Sequence, residues 1–190
     1  MNGVTTLRRI GQAIDQRYLK KVGAITIPGS TIGLLLVCFH EYEGKKSIEL
    51  LDKTVIHPGD RVGEFHFSNI RITEIADEPS ERSMEWRLLE MLKLEFAALA
   101  NACHNGTINP EIKGFYGVNV LAAGAKRLGF TLIPIPKGWN RWWLGFWESM
   151  LRLIYYSFKT KKKATLKRTM DPYEIWMSRG HIIKQFLKET

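Results

Sequence analysis

The chain is 190 residues long, 45% hydrophobic and 25% charged, which excludes wholesale disorder and suits one domain with its own core better than two. Its 28 lysines and arginines against 19 acids give a net charge of +9, so attraction to a polyanion, acidic lipid or nucleic acid, is expected. The two cysteines, Cys38 and Cys103, lie far apart with no CxxC spacing, which argues against a cysteine-built zinc or iron–sulfur site and for two buried free thiols.

From the N-terminus, charges run throughout residues 1–21, so the apolar core of a signal peptide is missing there. Leu7, Ile10, Ala13, Ile14, Tyr18 and Leu19 recur at helical spacing and predict a helix over 5–22. The uncharged run from Val22 to Phe39 is broken by Pro28-Gly29-Ser30, which predicts two buried strands rather than a membrane span. Strands are expected at 32–42 and 47–51, separated by the turn at Glu43-Gly44-Lys45. His57-Pro58-Gly59-Asp60 is a further turn, because proline presets one central residue and glycine permits positive φ. From Val62 to Ile70 the pattern alternates, with Val62, Glu64, His66, Ser68 and Ile70 on one side and Phe65 and Phe67 on the other.

Helical period returns over 83–104, where Met84, Leu88, Met91, Leu92, Glu95, Ala98, Leu99 and Ala102 cluster on one face, with Ser80 or Ser83 as cap and Asn105-Gly106 as stop. Gly114-Phe115-Tyr116-Gly117 is expected to lead into a helix over about 119–128 that ends at Gly129, followed by a strand at 130–135. A last helix over 171–190 is expected, with Asp171 as cap, Pro172 at its first position, and Trp176, Ile183 and Phe186 returning to the core.

The segment 137–168 stands apart. Trp139, Trp142, Trp143, Phe146 and Trp147 fall on one broad face of a helix, with Arg141, Glu148 and Arg152 opposite. Lys159, Lys161, Lys162, Lys163, Lys167 and Arg168 follow within ten residues and without an acid. Indole rings favour the bilayer interface, an amphipathic helix lies in its plane, and a basic run meets anionic headgroups. The bland alternative is a helix packed on the protein's own sheet with the lysines in a solvated loop. A nucleic-acid binder is a third reading, disfavoured because these aromatics share a helix face and no RNP, KH or helix-turn-helix signature occurs.

For chemistry the sequence offers one polar cluster: Asp60, Glu64, His66 and Asn69. On a strand Glu64 and His66 point the same way, so the carboxylate could orient the imidazole for general acid–base work. A structural Glu–His pair is the competing reading. No nucleophile elbow, no histidine pair at metal-ligand spacing and no phosphate-binding glycine pattern occurs; His40 and His57 read as isolated. No cofactor and no metal is therefore expected from the sequence.

The stretch from Ile56 to Asn69, IHPGDRVGEFHFSN, resembles the GD-x-V-x-(E/K)-(I/L)-H-(L/F)-x-N strand of the YkoP-like domain. Glu111–Gly117, Ala125–Phe130 and Tyr173–Arg179 fit that family in the same order, so the likeness runs from about Leu34 to the C-terminus. The resemblance implies a bacterial envelope or sporulation context, since such domains occur alone and as C-terminal tails of some polysaccharide deacetylases. The deacetylase's own metal motifs, an aspartate pair plus HxxxH, are lacking here. It implies no activity of its own.

The expectation is thus a single α+β domain over 1–190 with a small, mainly antiparallel sheet. Its function is read as a non-catalytic accessory role at the inner, cytoplasmic face of an anionic membrane, beside a polysaccharide-modifying enzyme. The alternative is an enzyme acting on a glycan or lipid-linked sugar through Glu64 and His66.

Overall fold

A computed structural model describes residues 13, 16–119, 125–126, 128–135 and 173–187. Residues 16–21 are helical. They are followed by β1 Ile25–Thr26, β2 Leu35–Glu41, β3 Ile48–Glu49, β4 Val55–Ile56 and β5 Arg61–Phe67. Next come α1 Asn69–Asp77, α2 Met84–His104, β6 Gly114–Asn119, β7 Thr131–Pro134, β8 Tyr173–Ser178 and α3 Arg179–Phe186. Six strands form one sheet in the order β1-β2-β5-β6-β8-β7, while β3 and β4 pair as a separate hairpin. Every neighbouring pair in the large sheet is antiparallel except β5 with β6. The α+β class with a mainly antiparallel sheet follows directly.

Two apolar cores lie on the sheet's two faces. Val37, Phe65, Phe115 and Met177 meet Phe96, Leu99, Ala100 and Cys103 of α2 and Ile182 of α3. Within this core Phe65 stacks on Phe115 at 5.6 Å and meets Phe96 edge-on at 5.7 Å. The other face carries a smaller cluster of Val62 and Trp176 with Leu50 and Ile56 from the hairpin. The alternation read in β5 is therefore real: Val62 enters one core and Phe65 the other. Close strand packing needs a missing side chain at Gly63, where a Cβ would stand 2.5 Å from Cδ1 of the fully buried Phe115.

Helix α2 obeys its sequence signals, because Ser83 caps it by accepting from the Trp86 N–H at 3.3 Å. Asn105 ends it, and Gly106 takes the expected positive φ of 78°. Glu95, placed by the sequence pattern on the apolar face, is fully buried there. Its Oε1 accepts from the Leu34 N–H at 2.7 Å and the Leu35 N–H at 3.1 Å, pinning the entry of β2 to the helix.

Four expectations are corrected. The strand from Val62 stops at Phe67, because the Ser68 hydroxyl accepts from the Arg71 N–H and starts α1, so Asn69 and Ile70 are helical. Gly114–Asn119 is a strand, so Asn119 is not helical; Ala125 and Lys126 are helical, and residues 120–124 and 127 of the expected helix lie outside the described residues. The strand lies between β5 and β8, and the glycines let backbones close in: a Cβ at Gly114 would sit 3.1 Å from the Met177 carbonyl oxygen. Tyr173–Ser178, expected as the first part of a helix capped by Asp171, is β8, and Ser178 caps α3 instead by accepting from the His181 N–H at 2.9 Å. Finally, Ile25 and Thr26 of β1 are exposed, not buried.

Polar ties lock the C-terminal strand–helix junction. Arg179 donates to the carbonyls of Cys103, Ile108 (3.2 Å) and Asn109 (3.0 Å), capping the end of α2. The Ser178 hydroxyl donates to Asp52 in the β3–β4 turn. Burial alone would raise the Asp52 carboxyl, but the bonds from Ser178 and Thr54 outweigh it and hold the carboxyl below its usual value. A depressed carboxylate stabilises the fold above the unfolded-state value and loses that contribution as pH falls through the folded-state value. Asp52 is exposed, so solvent screening discounts this contribution, and replacing it by Asn should cost about 0.5 kcal/mol at neutral pH. Urea unfolding at a series of pH values should show that gap closing below the ordinary aspartate pKa of about 3.9.

Candidate functional site

The register of the sheet assembles a polar site. Cys38 of β2 pairs with Glu64 of β5, Glu64 with Tyr116 of β6, and Tyr116 with Trp176 of β8, so one row crosses four strands on one face. Two residues along β2 and β5, the same face adds His40 and His66. At the buried end Trp176 stacks on Tyr116 with ring centroids 4.4 Å apart and an interplanar angle of 12°. At the other end Tyr18, from the helical residues before β1, meets His66 edge-on at 5.6 Å.

The contacts within the cluster are close and converge on Glu64. Its Oε2 lies 3.6 Å from His40 Nε2 and 3.8 Å from His66 Nε2, while Cys38 Sγ lies 3.4 Å from the same His66 nitrogen. His40 Nδ1 is 2.7 Å from the Glu41 carbonyl, to which it can only donate; in the neutral ring Nε2 then accepts the Tyr116 O–H at 3.1 Å. Side-chain exposure falls from 34% at His40 through 25% at Glu64 to 14% at His66, so the cluster is shielded without being sealed.

Electrostatics reflect this crowding. Burial first, and then the Glu64 carboxylate, push the Cys38 thiol above its ordinary value. The same two causes, in the same order, raise the phenols of Tyr18 and Tyr116. Cys103 is a different case: burial among α2 neighbours pushes its thiol up to about 11 against the pull of Arg179, which makes it an inert core thiol. Both cysteines are free and buried.

Of the residues singled out by sequence, Glu64 and His66 share the site, but the other two do not. Asp60 sits in the turn before β5, accepting from the His57 N–H at 2.7 Å and pairing with Lys113 at 2.8 Å. Asn69 is the first residue of α1, largely buried, and its carbonyl accepts from the Thr73 hydroxyl at 2.8 Å. Cys38, His40 and Tyr116 were not singled out. Their signal was present as Cys38/His40 and Glu64/His66, two pairs at strand spacing, but only the pairing of β2 with β5 joins them. Trp139, Trp142, Trp143, Phe146, Trp147, Lys159, Lys161, Lys162, Lys163, Lys167 and Arg168 lie outside the described residues.

Glu64, His66, Tyr116 and Trp176 come from three of the four sequence pieces that carried the resemblance. A family model for the YkoP domain matches residues 5–186. The chain belongs to the YkoP domain family. The YkoP domain is thus nearly coextensive with the chain; within it Gly59-Asp60 is a turn, the Glu64/His66 strand carries the polar cluster, and the Trp176-to-Arg179 junction is a structural clamp. No curated protein and no solved structure was found to match it.

Proposed function

We propose that this YkoP domain is a peripheral membrane module of the bacterial envelope, an accessory rather than a catalyst, held on an anionic lipid surface by residues 137–168. One observation carries the reading. Those residues contain nine lysines and arginines against one acid, whereas the rest of the chain holds 19 against 18, so eight of the nine net positive charges fall there. The same segment holds four of the six tryptophans. Interfacial aromatics and adjoining cations act together, each cation near an anionic surface contributing on the order of 1 kcal/mol. No helix among the described residues is long and apolar enough to cross a membrane. The resemblance to tails of polysaccharide deacetylases suggests the partner: a polysaccharide-modifying enzyme working at the same surface.

The purified protein should float with anionic liposomes at low salt, less at high salt, and poorly with neutral liposomes. A variant with Trp142, Trp143 and Trp147 changed to alanine should stay at the bottom of the gradient. Absence of flotation under every condition, or flotation undiminished in the variant, would sink the proposal.

A second reading is favoured by the cluster itself, in which Glu64 and His66 act as an acid–base pair on a glycan or lipid-linked sugar. The convergence of Cys38, His40, Glu64, His66 and Tyr116 supports a site of some kind. The separation of 3.8 Å between Glu64 Oε2 and His66 Nε2 is too long for direct proton exchange between them, which makes it the weaker of the two.

A further inference from the structure

We propose that Cys38, Glu64 and His66 form a binding site for a zinc-like divalent transition-metal ion on the face of the sheet that carries Tyr116 and Trp176. This assigns the cluster a ligand independently of membrane attachment, and replaces a direct Glu64–His66 relay with coordination by both.

Geometry is the first argument. Cys38 Sγ, a Glu64 carboxylate oxygen and a His66 ring nitrogen all lie within 4.8 Å of one another. Around a tetrahedral zinc, with Zn–S of about 2.3 Å and Zn–N of about 2.0 Å, a sulfur and a nitrogen ligand stand about 3.5 Å apart. Cys38 Sγ and His66 Nε2 stand 3.4 Å apart. The 3.8 Å between His66 Nε2 and Glu64 Oε2 exceeds the corresponding tetrahedral edge by only a few tenths of an ångström. Closing that difference requires the Glu64 carboxylate to move toward Cys38 and His66.

Support from the fold is the second. The ligands sit on β2 and β5, which are paired at seven consecutive positions, rather than on loops. His40 is held by Glu41 and Tyr116, and its Nε2 stands 3.6 Å from Glu64, beside the carboxylate but beyond hydrogen-bond reach. Tyr116 in turn is clamped by the buried Trp176.

The donor set selects the class of metal. A thiolate with an imidazole disfavours magnesium and calcium, which prefer all-oxygen shells, and suits zinc or a neighbouring first-row ion. Three protein ligands leave a fourth position for water or for a substrate atom, as in catalytic rather than structural zinc sites. Spacing along the chain gives no sign of such a site, because its ligands come from two strands joined only by pairing.

Tag-free full-length protein, stripped with a chelator and dialysed, should be titrated with Co²⁺ and then with Zn²⁺. The expected result is one Co²⁺ per chain with a thiolate-to-cobalt charge-transfer band and four-coordinate d–d bands, both erased by Zn²⁺. Cys38→Ser and His66→Gln should each weaken binding by about 100-fold or more and remove or shift the charge-transfer band, while Cys103→Ser should bind as the parent does. Far-UV circular dichroism establishes that each variant is folded, and Glu64→Gln at its partly exposed position gives a third ligand test should Cys38→Ser unfold. No stoichiometric binding at submillimolar Co²⁺ or Zn²⁺, or full-strength binding in folded Cys38→Ser or Glu64→Gln, would overturn the proposal. Neither result bears on flotation, so this site and the membrane reading fail separately.

Discussion

Replacing Trp176 by alanine should cost about 4 kcal/mol of unfolding free energy, read as a fall in the urea midpoint with an unchanged slope. Trp176 is fully buried and joins the small core of Leu50, Ile56 and Val62. It stacks on Tyr116, meets Tyr42 edge-on at 5.4 Å, and donates its indole N–H to Glu174 at 2.9 Å. Alanine would remove all of these and leave a void that rigid strands on either side cannot close. Phenylalanine keeps most of the ring and should cost less, about 1–2 kcal/mol, chiefly the indole bond and the residual gap. Because Tyr116 rests on this ring and bonds His40, the alanine variant should also loosen the polar site; the phenylalanine variant should not. Equal destabilisation by both substitutions would show that the stack contributes nothing.

The second large effect is expected at Glu95. Changing it to alanine should destabilise the fold by about 3 kcal/mol or more, because the Leu34 and Leu35 N–H groups would be buried without acceptors. Both residues are essentially inaccessible, so water cannot replace the carboxylate. Glutamine retains one oxygen in place of the Oε1 that accepts both bonds, and should cost about 1 kcal/mol. The comparison by chemical denaturation separates lost acceptor from lost volume, since glutamine matches glutamate in size. Oε2 has no hydrogen-bond partner among the described residues, which is consistent with the Oε1 pair being the reason for the buried acid. Its role is positional: it fixes where β2 begins and hence where Cys38 and His40 stand against Glu64 and His66.

These two positions show how differently information is distributed along the chain. Glu95 was legible only as a member of an apolar helical face; nothing local says that its carboxylate has two backbone partners 60 and 61 residues away. Trp176 was legible as a core residue but in the wrong element. Tyr173–Ser178 runs between β6 and β7, with Trp176 in one core and Met177 in the other. A strand covered on both faces loses the polar–apolar alternation that identifies strands, and its apolar residues can equally be fitted to a helical period. The same reason hid β6. At α1 the alternation read from Val62 runs on to Ile70, yet the Ser68 cap and the Arg71–Glu74 ion pair at 2.9 Å accompany a helix from Asn69.

By itself the sequence determined what rests on near neighbours or on pattern. Helix α2 with its Ser83 cap and its stop at Asn105-Gly106 is local, as is the turn before β5. The alternation of β5, the buried thiols and the YkoP resemblance were also legible, because each is written within a few residues or in a string of motifs. Only the tertiary structure decided that Tyr173–Ser178 pairs as a strand, and that Cys38, His40 and Tyr116 join Glu64 and His66 while Asp60 and Asn69 do not. The physical reason is that strand pairing is a bond between distant segments. Its register, not its sequence spacing, sets which side chains share a face, and a shift of one residue would turn Cys38 and Glu64 from the polar face to the apolar core.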